Sequence, residues 1–213
     1  METVRSYEQY KVDVPEGQSG PWSIQRFTIS ECESDVQNKM ASFAFTTRGT
    51  RSFPGTYTML LRGNVTVMSD IPPEIEEHME MIEIAKGNIL IVGLGIGMVA
   101  QACLRKPEVE HLTVVELSPD VIQLTGGHIK SRFGDRLEII QSSIFEWEPP
   151  DGVHYDAVWF DIWDVIGECN LPQMEELKNR FRPISDWQGC WAEDLCSKFR
   201  NDSEAWAEQV IGR

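Results

Sequence analysis

The feature that most constrains the fold is a glycine-rich turn between a short apolar run and a segment with helical spacing. The apolar run spans residues 88–92, and the turn that follows is Gly93-Leu94-Gly95-Ile96-Gly97. Residues 98–106 have the spacing of a helix that ends before Pro107, and residues 111–117 form a second apolar run. Strand, turn, helix and strand in this order predict a parallel βαβ unit, whose first turn lets the backbone approach a ligand closely.

The chain continues to alternate strand-like and helix-like segments after this unit. Ser118-Pro119-Asp120 is typical of a helix start, and Gly126-Gly127 is expected to stop or interrupt that helix. Residues 137–140 and 155–160 add a third and a fourth strand. The pattern predicts the α/β class, with a doubly wound, Rossmann-like and mostly parallel sheet.

The sequence beyond Asp164 has helical patterns. They cover residues 171–181 and 187–199, and no clear pair of closing strands follows the fourth strand. We therefore expect the sheet to be shortened at its C-terminal edge.

The first seventy residues have a different pattern, in which short β-rich runs follow one another. The runs span residues 7–14, 22–30, 41–47, 56–61 and 64–68. Arg62-Gly63-Asn64 is a turn sequence typical of a hairpin. We predict an N-terminal antiparallel β unit over residues 1–70 and a Rossmann-like domain with a helical C-terminal segment over residues 71–213. Ser69 or Asp70 is expected to cap the helix that begins at the following prolines.

The net charge limits the partners that the chain can bind. There are 34 acidic and 19 basic side chains, which give a formal charge of −15 at pH 7. Phosphate backbones are bound chiefly by Lys and Arg, so nucleic acid is a poor partner and a small-molecule substrate is expected instead. No apolar stretch approaches the roughly 20 residues of a membrane span, and the N-terminus lacks a signal sequence, so we expect a cytoplasmic protein without membrane contact. The five scattered cysteines predict neither a disulfide framework nor a metal site, and a homodimer is left open.

A carboxylate at the end of the second strand completes a ligand-binding constellation. Glu116 follows the glycine turn by about twenty residues, where a carboxylate can accept hydrogen bonds from both hydroxyls of an adenosine ribose. A nicotinamide cofactor is disfavoured because Met98 stands where its fingerprint needs a third small residue. Taken alone, such a turn is typical of any tight loop, and an acid such as Glu116 is typical of a solvated strand end. Together they predict a nucleoside-containing cofactor without a pyrophosphate.

Four segments resemble the nucleotide-binding half of spermidine synthases and related class I S-adenosylmethionine-dependent methyltransferases. They are residues 88–97, 111–119, 134–145 and 155–164, and the resemblance covers residues 56–182. It implies S-adenosylmethionine as the cofactor, with its methionine part at the glycine turn, its ribose at Glu116 and its adenine near the loops after the second and third strands. The cofactor-binding residues that it implies are Gly93, Leu94, Gly95, Gly97, Glu116, Leu117, Ser143 and Ile144.

Asp161-Ile162-Trp163-Asp164 resembles the Asp-x-x-Asp pair with which aminopropyltransferases orient and deprotonate an amine. We therefore expect Asp161 and Asp164 to be the catalytic residues. The alternative is that one caps the following helix and the other is solvated. Two departures from the family argue against polyamine synthesis: Ile96 replaces an acid of the glycine turn, and Glu76-Glu77-His78 replaces a Tyr-His-Glu segment.

The expected function is that of an S-adenosylmethionine-binding transferase, a methyltransferase that acts on a small polar or amine-bearing substrate. Two alternatives remain open. One is an aminopropyltransferase of the spermidine synthase type, and the other is a non-catalytic protein that binds S-adenosylmethionine.

Several tryptophans lie toward the C-terminal end. They are Trp159, Trp163, Trp187, Trp191 and Trp206. Because tryptophan buries a large area, packing in the core or in a subunit interface is favoured over an aromatic wall that covers a ligand.

Overall fold

The computed structural model of the chain describes residues 7–43 and 52–211. Its N-terminal part is a four-stranded antiparallel sheet, in which neighbouring strands follow one another along the chain. The strands are β1 (Gly17–Ser19), β2 (Trp22–Ile29), β3 (Gly55–Arg62) and β4 (Val65–Ser69). The predicted β unit is confirmed, and its last hairpin turns at Gly63, whose φ of 62° suits glycine.

Two segments of this region do not form the predicted strands. Residues 7–14 contain one short 3₁₀ helix, Glu8–Tyr10, and otherwise irregular backbone. The predicted strand over residues 41–47 is wrong where it is described, because it begins inside helix α1 (Glu31–Phe43). Its residues from 44 onward lie outside the described part of the chain.

Helix α1 begins with a capping box that explains its presence. The Ser30 hydroxyl accepts a hydrogen bond from the Glu33 N–H (3.2 Å). The Glu33 carboxylate accepts one from the Ser30 N–H (2.8 Å) in return. This reciprocal pair satisfies two donors at the helix start, so the local sequence favours a helix there.

The second sheet has five parallel strands in the order β7-β6-β5-β8-β9. They are β5 (Gly87–Val92), β6 (Val109–Glu116), β7 (Leu137–Gln141), β8 (Tyr155–Phe160) and β9 (Ser185–Cys190), and helix α4 (Met98–Leu104) joins β5 to β6. The chain moves outward from β5 to β7 and then returns to the other side of β5. Ligands of such sheets lie at the carboxyl ends of the strands beside this reversal. The α/β class and the doubly wound arrangement are thus confirmed.

The strand β9 corrects the prediction for the C-terminal region. Residues 185–190 pair with β8, and helix α8 (Glu193–Ile211) begins only after them. The predicted helix over residues 187–199 is therefore wrong in its first part. The edge of β8 offers backbone partners that local spacing does not reveal. No further strand follows within the described residues, so the sheet ends at β9.

The helix after β6 begins as predicted but does not stop where predicted. The Ser118 hydroxyl accepts a hydrogen bond from the Val121 N–H (3.3 Å) and caps α5 (Pro119–Val121). Gly126 has a φ of −62°, which is right-handed helical backbone. The helix therefore continues through one π-helical segment into α6 (Gly127–Phe133).

The helical segment before β5 is broken in the middle. It consists of α2 (Pro72–Glu77) and α3 (Met79–Ile84), which meet at His78. The N-cap of α2 is Ile71, and its side chain makes no capping hydrogen bond.

Ser69 and Asp70 do not cap this helix, because their side chains are engaged elsewhere. The Asp70 carboxylate accepts hydrogen bonds from the N–H groups of Thr58 (2.6 Å) and Val12 (3.0 Å). The Ser69 hydroxyl and N–H donate to the Glu74 carboxylate at 2.6 and 2.9 Å. The prediction of a side-chain cap is wrong, and these residues instead fix β4 to its neighbours.

Alternate residues of β5 enter two separate apolar cores. Ile89 and Ile91 pack on the side of α3 and α4, whereas Leu90 and Val92 pack on the side of helix α7 (Leu171–Phe181). Because β5 is covered on both faces, its carboxyl end and the glycine turn are held by packed structure on either side.

Three further observations concern the described residues as a whole. No described helix is long and apolar enough to cross a membrane. No group of three or more potential metal ligands is found among the described residues. The five cysteines are free thiols.

Candidate functional site

A cavity of about 380 Å³, the first cavity, opens at the carboxyl ends of β5, β6 and β8, beside the strand reversal. Side chains of the N-terminal sheet also line it, so the cavity lies between the two sheets. All of the predicted site residues line it except Gly97. Those that do are Gly93, Leu94, Gly95, Glu116, Leu117, Ser143, Ile144, Asp161 and Asp164.

The three glycines of the turn have left-handed backbone that other residues rarely adopt. Their φ angles are 101° at Gly93, 52° at Gly95 and 71° at Gly97. A β-carbon at Gly93 would overlap the backbone carbonyl of Asp161, and one at Gly97 would overlap the Ile129 side chain. Gly97 therefore serves the packing of the turn against α6, whereas Gly93 allows the turn to meet the end of β8.

The Glu116 carboxylate is held by both neighbouring loops. One oxygen accepts a hydrogen bond from the Leu94 N–H (2.8 Å), and the other accepts one from the Ser118 N–H (2.7 Å). Each carboxylate oxygen can accept more than one hydrogen bond, so lone pairs remain for the hydroxyls of a ligand.

Apolar side chains follow Glu116 and Ser143 at the cavity. Leu117 is 69% exposed, and Phe145, in the loop after β7, is 38% exposed. Ile144 lies between Ser143 and Phe145 and is buried. The Ser143 carbonyl accepts the N–H groups of the following turn, which fixes this loop. These residues offer an apolar surface to a flat ligand group.

Asp161 lies in an environment that disfavours its ionised form. Its side chain is only 23% exposed. Burial, together with the negative charges of Glu74, Glu77 and Glu116, raises the pKa of Asp161 to about 7. Burial also raises the pKa of Glu74 to about 7, although its hydrogen bonds from Ser69 act in the opposite direction. A carboxyl with a pKa near neutrality is suited to accept a proton from a bound ligand.

A buried histidine lies beside Asp161. His78 Nε2 is 3.9 Å from Asp161 Oδ2, and burial lowers the pKa of His78 to about 4. The ring packs edge-on against Trp159 with 5.8 Å between centroids, and its Nδ1 has no hydrogen-bond partner among the described residues. His78 is thus neutral at pH 7 and does not offset the charge of the surrounding acids.

Asp164 is paired with a cation rather than free. Arg62 of β3 donates a hydrogen bond to its carboxylate, and the guanidinium lies 5.3 Å from the centre of the Trp22 ring. All three side chains line the first cavity. This contact joins the N-terminal sheet to the loop after β8, so Asp164 is placed to hold the wall and Asp161 to meet a ligand.

A methionine of β4 fills the space above the glycine turn. Met68 Sδ accepts a hydrogen bond from the Ile96 N–H (3.3 Å), and a β-carbon at Gly95 would overlap this sulfur. The Ile96 side chain is fully buried in the core and does not line the cavity. The Ile96 side chain therefore points away from the site.

A second cavity of about 640 Å³ adjoins the first. The residues that line both cavities are Val67, Met68, Glu74, Asp164 and Trp191. The loop after β8 and helix α8 add apolar side chains, among them Val165 and Phe199. At its wall the Trp191 indole N–H donates to the Glu77 carboxylate (2.9 Å). The second cavity thus combines acidic and apolar surface.

The tryptophans divide between core and cavity. Trp159 and Trp187 stack with 6.1 Å between centroids and an interplanar angle of 9°, as the packing interpretation expects. Trp163 and Trp191 line the first cavity, and Trp163 is at the same time buried in the core on the side of α7. The side chain of Trp206 lies outside the part of the chain that is described.

Sequence reasoning assigned no role to many residues at the first cavity, and five of these precede the glycine turn and carry polar, aromatic or sulfur groups. They are Trp22, Arg62, Met68, Glu74 and His78. They reach the site through the packing of the N-terminal sheet and of the helices before β5, and no short motif marks such contacts. Of these residues, only His78 lies in a short segment that was compared with a family motif, since Glu76-Glu77-His78 replaces the Tyr-His-Glu segment of spermidine synthases.

No protein-family model matches the chain, and no curated protein sequence matches it. Parts of several solved structures are similar to it. The CcbJ methyltransferase of Streptomyces caelestis has 16% identity and a TM-score of 0.42 over 54% of this chain and 46% of that one. An S-adenosylmethionine-dependent O-methyltransferase of Thermotoga maritima has 20% identity and a TM-score of 0.35, over 43% and 35% of the two chains. The plantazolicin methyltransferase BpumL has 15% identity and a TM-score of 0.37, over 52% and 41%. The chain spans less than half the length of these three structures, and the fold assignment rests on its own strand order.

Proposed function

We propose that the chain binds S-adenosylmethionine in the first cavity and transfers its methyl group to a small polar or amine-bearing acceptor. The observation that carries this proposal is the convergence of the glycine turn and the Glu116 carboxylate on one cavity beside the strand reversal. The hydrogen bond between Leu94 and Glu116 links the two features directly. The cavity volume of about 380 Å³ lies within the range of small-molecule sites.

The residues at the cavity fit the groups of this cofactor. Glu116 retains lone pairs for the two ribose hydroxyls. Leu117 and Phe145 offer apolar surface to the adenine. Gly95 leaves only backbone at the turn, but the Met68 sulfur fills the space above it. The fit is therefore direct for the nucleoside part and requires a movement of Met68 for the amino-acid part.

Bound S-adenosylmethionine supplies a methyl group on a sulfonium that is already activated. The protein therefore mainly has to align the acceptor with this methyl group. Asp161 lies at the end of β8, and its raised pKa of about 7 suits it to orient an amine or hydroxyl and to take its proton. Glu74 extends the acidic wall, which favours a cationic or proton-donating acceptor. Asp164 contributes by holding Arg62 and thereby the wall of the cavity.

Calorimetric titration with S-adenosylmethionine, S-adenosylhomocysteine and decarboxylated S-adenosylmethionine tests the cofactor class. We expect the first two to bind and the decarboxylated form to bind no better, because the buried Ile96 supplies no acid for its ammonium. Preference for the decarboxylated form would favour aminopropyl transfer. Tight binding without methylation of any amine, hydroxyl or carboxylate acceptor would favour a non-catalytic binding protein.

Glu116→Ala tests the residue on which the proposal depends most. We expect adenosine-containing ligands to bind more weakly by about 1.5–3 kcal/mol, the scale of hydrogen bonds to a charged acceptor. The matched control is Glu110→Ala, which removes an exposed acid from the same strand, and it should leave the affinity unchanged. If folded Glu116→Ala, checked by thermal unfolding, binds as tightly as the parent, the ribose is not held there and the proposed function is wrong.

A further inference from the structure

Strand β4 contains an irregularity that turns two consecutive side chains toward the same cavity. Its register against β3 shifts, so that Met68 lies opposite Leu60 whereas Thr66 lies opposite Leu61. Val67 is therefore an extra residue on β4. Side chains alternate between the two faces of a regular strand, and a bulge of this kind re-aims them. Both Val67 and Met68 consequently line the first cavity.

The bulge places the Met68 thioether over the glycine turn. Its sulfur accepts the Ile96 N–H at 3.3 Å and fills the space beside Gly95. A thioether is a weak acceptor, and methionine has three rotatable bonds, so this contact is easily broken and re-formed. The contact shows that the space over Gly95 accommodates an unbranched thioether chain next to a backbone donor.

The second cavity gives the Met68 side chain an alternative position. Met68 already lines this cavity of about 640 Å³ as well as the first. Rotation of the side chain away from the glycine turn would carry it toward this open space.

We propose that Met68 occupies the amino-acid subsite over Gly95 in the free protein and moves into the second cavity when a ligand fills that subsite. This displacement rests on the proposed function, because it assumes a nucleoside ligand whose thioether chain reaches the turn. Only the fraction of protein molecules in which Met68 has left the turn can bind the thioether amino-acid chain of the ligand. Met68 therefore lowers the apparent affinity for ligands that carry the chain and does not affect ligands that end at the ribose.

Calorimetry with two ligands isolates the contribution of Met68. S-adenosylhomocysteine carries the thioether amino-acid chain, and adenosine lacks it. We expect Met68→Ala to tighten binding of S-adenosylhomocysteine by about three- to tenfold, which corresponds to the loss of one weak hydrogen bond and its packing. Adenosine affinity should not change. Met68→Leu retains most of the bulk over Gly95 and should bind S-adenosylhomocysteine within about twofold of the parent.

Met59→Ala is the matched control. Met59 is a half-buried methionine of β3 that lines neither cavity, so its truncation should change the affinity for neither ligand. A second readout is the NMR spectrum of the protein labelled with methyl-¹³C methionine. The Met68 resonance, identified by its loss in Met68→Ala, should shift with S-adenosylhomocysteine and remain in place with adenosine.

The outcomes separate this displacement from the proposed function. Weaker or unchanged binding of S-adenosylhomocysteine by folded Met68→Ala, with normal adenosine binding, would make Met68 a fixed wall and overturn the displacement alone. If neither the parent nor Met68→Ala binds either ligand, the proposed function fails and the displacement fails with it. Binding of S-adenosylhomocysteine by the variant but not by the parent would support the displacement in its strongest form.

Discussion

Asp161→Asn should stabilise the protein at pH 8, although it removes the group expected to act on the acceptor. The pKa of Asp161 is raised from 3.8 to about 7 in the folded protein, a difference equivalent to roughly 4 kcal/mol when the group is fully ionised. Its side chain is 23% exposed to the cavity, and Glu74 titrates together with it, so we expect a gain of about 2–4 kcal/mol from removing the charge.

The direction in which pH changes the stability follows from proton binding at Asp161. Between about pH 4 and pH 7 the folded protein retains a proton on Asp161 that the unfolded chain has lost. The free energy of unfolding of the parent therefore falls as the pH rises through this window. The loss of stability from ionising Asp161 is complete above about pH 7. The advantage of Asp161→Asn should consequently shrink by roughly half when the pH is lowered from 8 to 5.5.

Denaturant unfolding of parent and variant at several pH values measures this difference. His78 acts in the opposite direction, since its lowered pKa reduces stability as the pH falls from 6.5 toward 4. Burial causes this shift in both proteins, so most of the His78 contribution cancels when the two are compared. Asp135→Asn, at an exposed position, is the control for the loss of one negative charge. A variant less stable than the parent at pH 8, or an advantage independent of pH, would refute the reasoning.

Three further predictions concern the turn and the reaction. Gly97→Ala should destabilise the fold by about 1–3 kcal/mol, because its β-carbon overlaps Ile129 and the backbone is left-handed; unfolding curves should show this loss, while the folded fraction binds cofactor as before. Asp161→Asn should lower turnover by about a hundredfold or more with little change in cofactor affinity, the usual effect of removing a general base. Asp164→Asn should be milder in the same methylation assay, since its partner is Arg62; equal losses in the two variants would contradict this assignment.

The parts of the fold that follow from the sequence are those with local causes. The glycine turn, Glu116 at the end of β6 and the Ser118 cap are each determined by residues within a few positions of one another. Their joint position at one cavity then follows from the parallel arrangement of the strands, because the carboxyl ends of neighbouring strands meet at one edge.

The errors have two different causes. The strand β9 was hidden because its pairing partner, β8, is distant in sequence, and residues 187–190 have no strong alternation of their own. Helix α1 had a local signal, the Ser30 and Glu33 capping box, whereas the strand predicted over residues 41–47 followed from their β-rich composition alone.

The environment of the site was the least accessible to sequence reasoning. The raised pKa of Asp161 depends first on burial and then on Glu74 and Glu77, which precede it by more than eighty residues and approach it only in the folded chain. The same is true of Arg62, which pairs with Asp164 across 102 positions. Such charges act through space, so no local pattern contains them.

The assembly of the first cavity from two sheets has a consequence for how this protein could change. The glycine turn and Glu116 belong to the parallel sheet, whereas Trp22, Arg62 and Met68 belong to the antiparallel one. Under the proposed function, substitutions of Trp22 or Arg62 reshape the space for an acceptor while leaving the groups at the nucleoside untouched. Under that function, binding of the nucleoside and choice of the acceptor are separable traits, and divergence among descendants of this chain should accumulate on the antiparallel wall first.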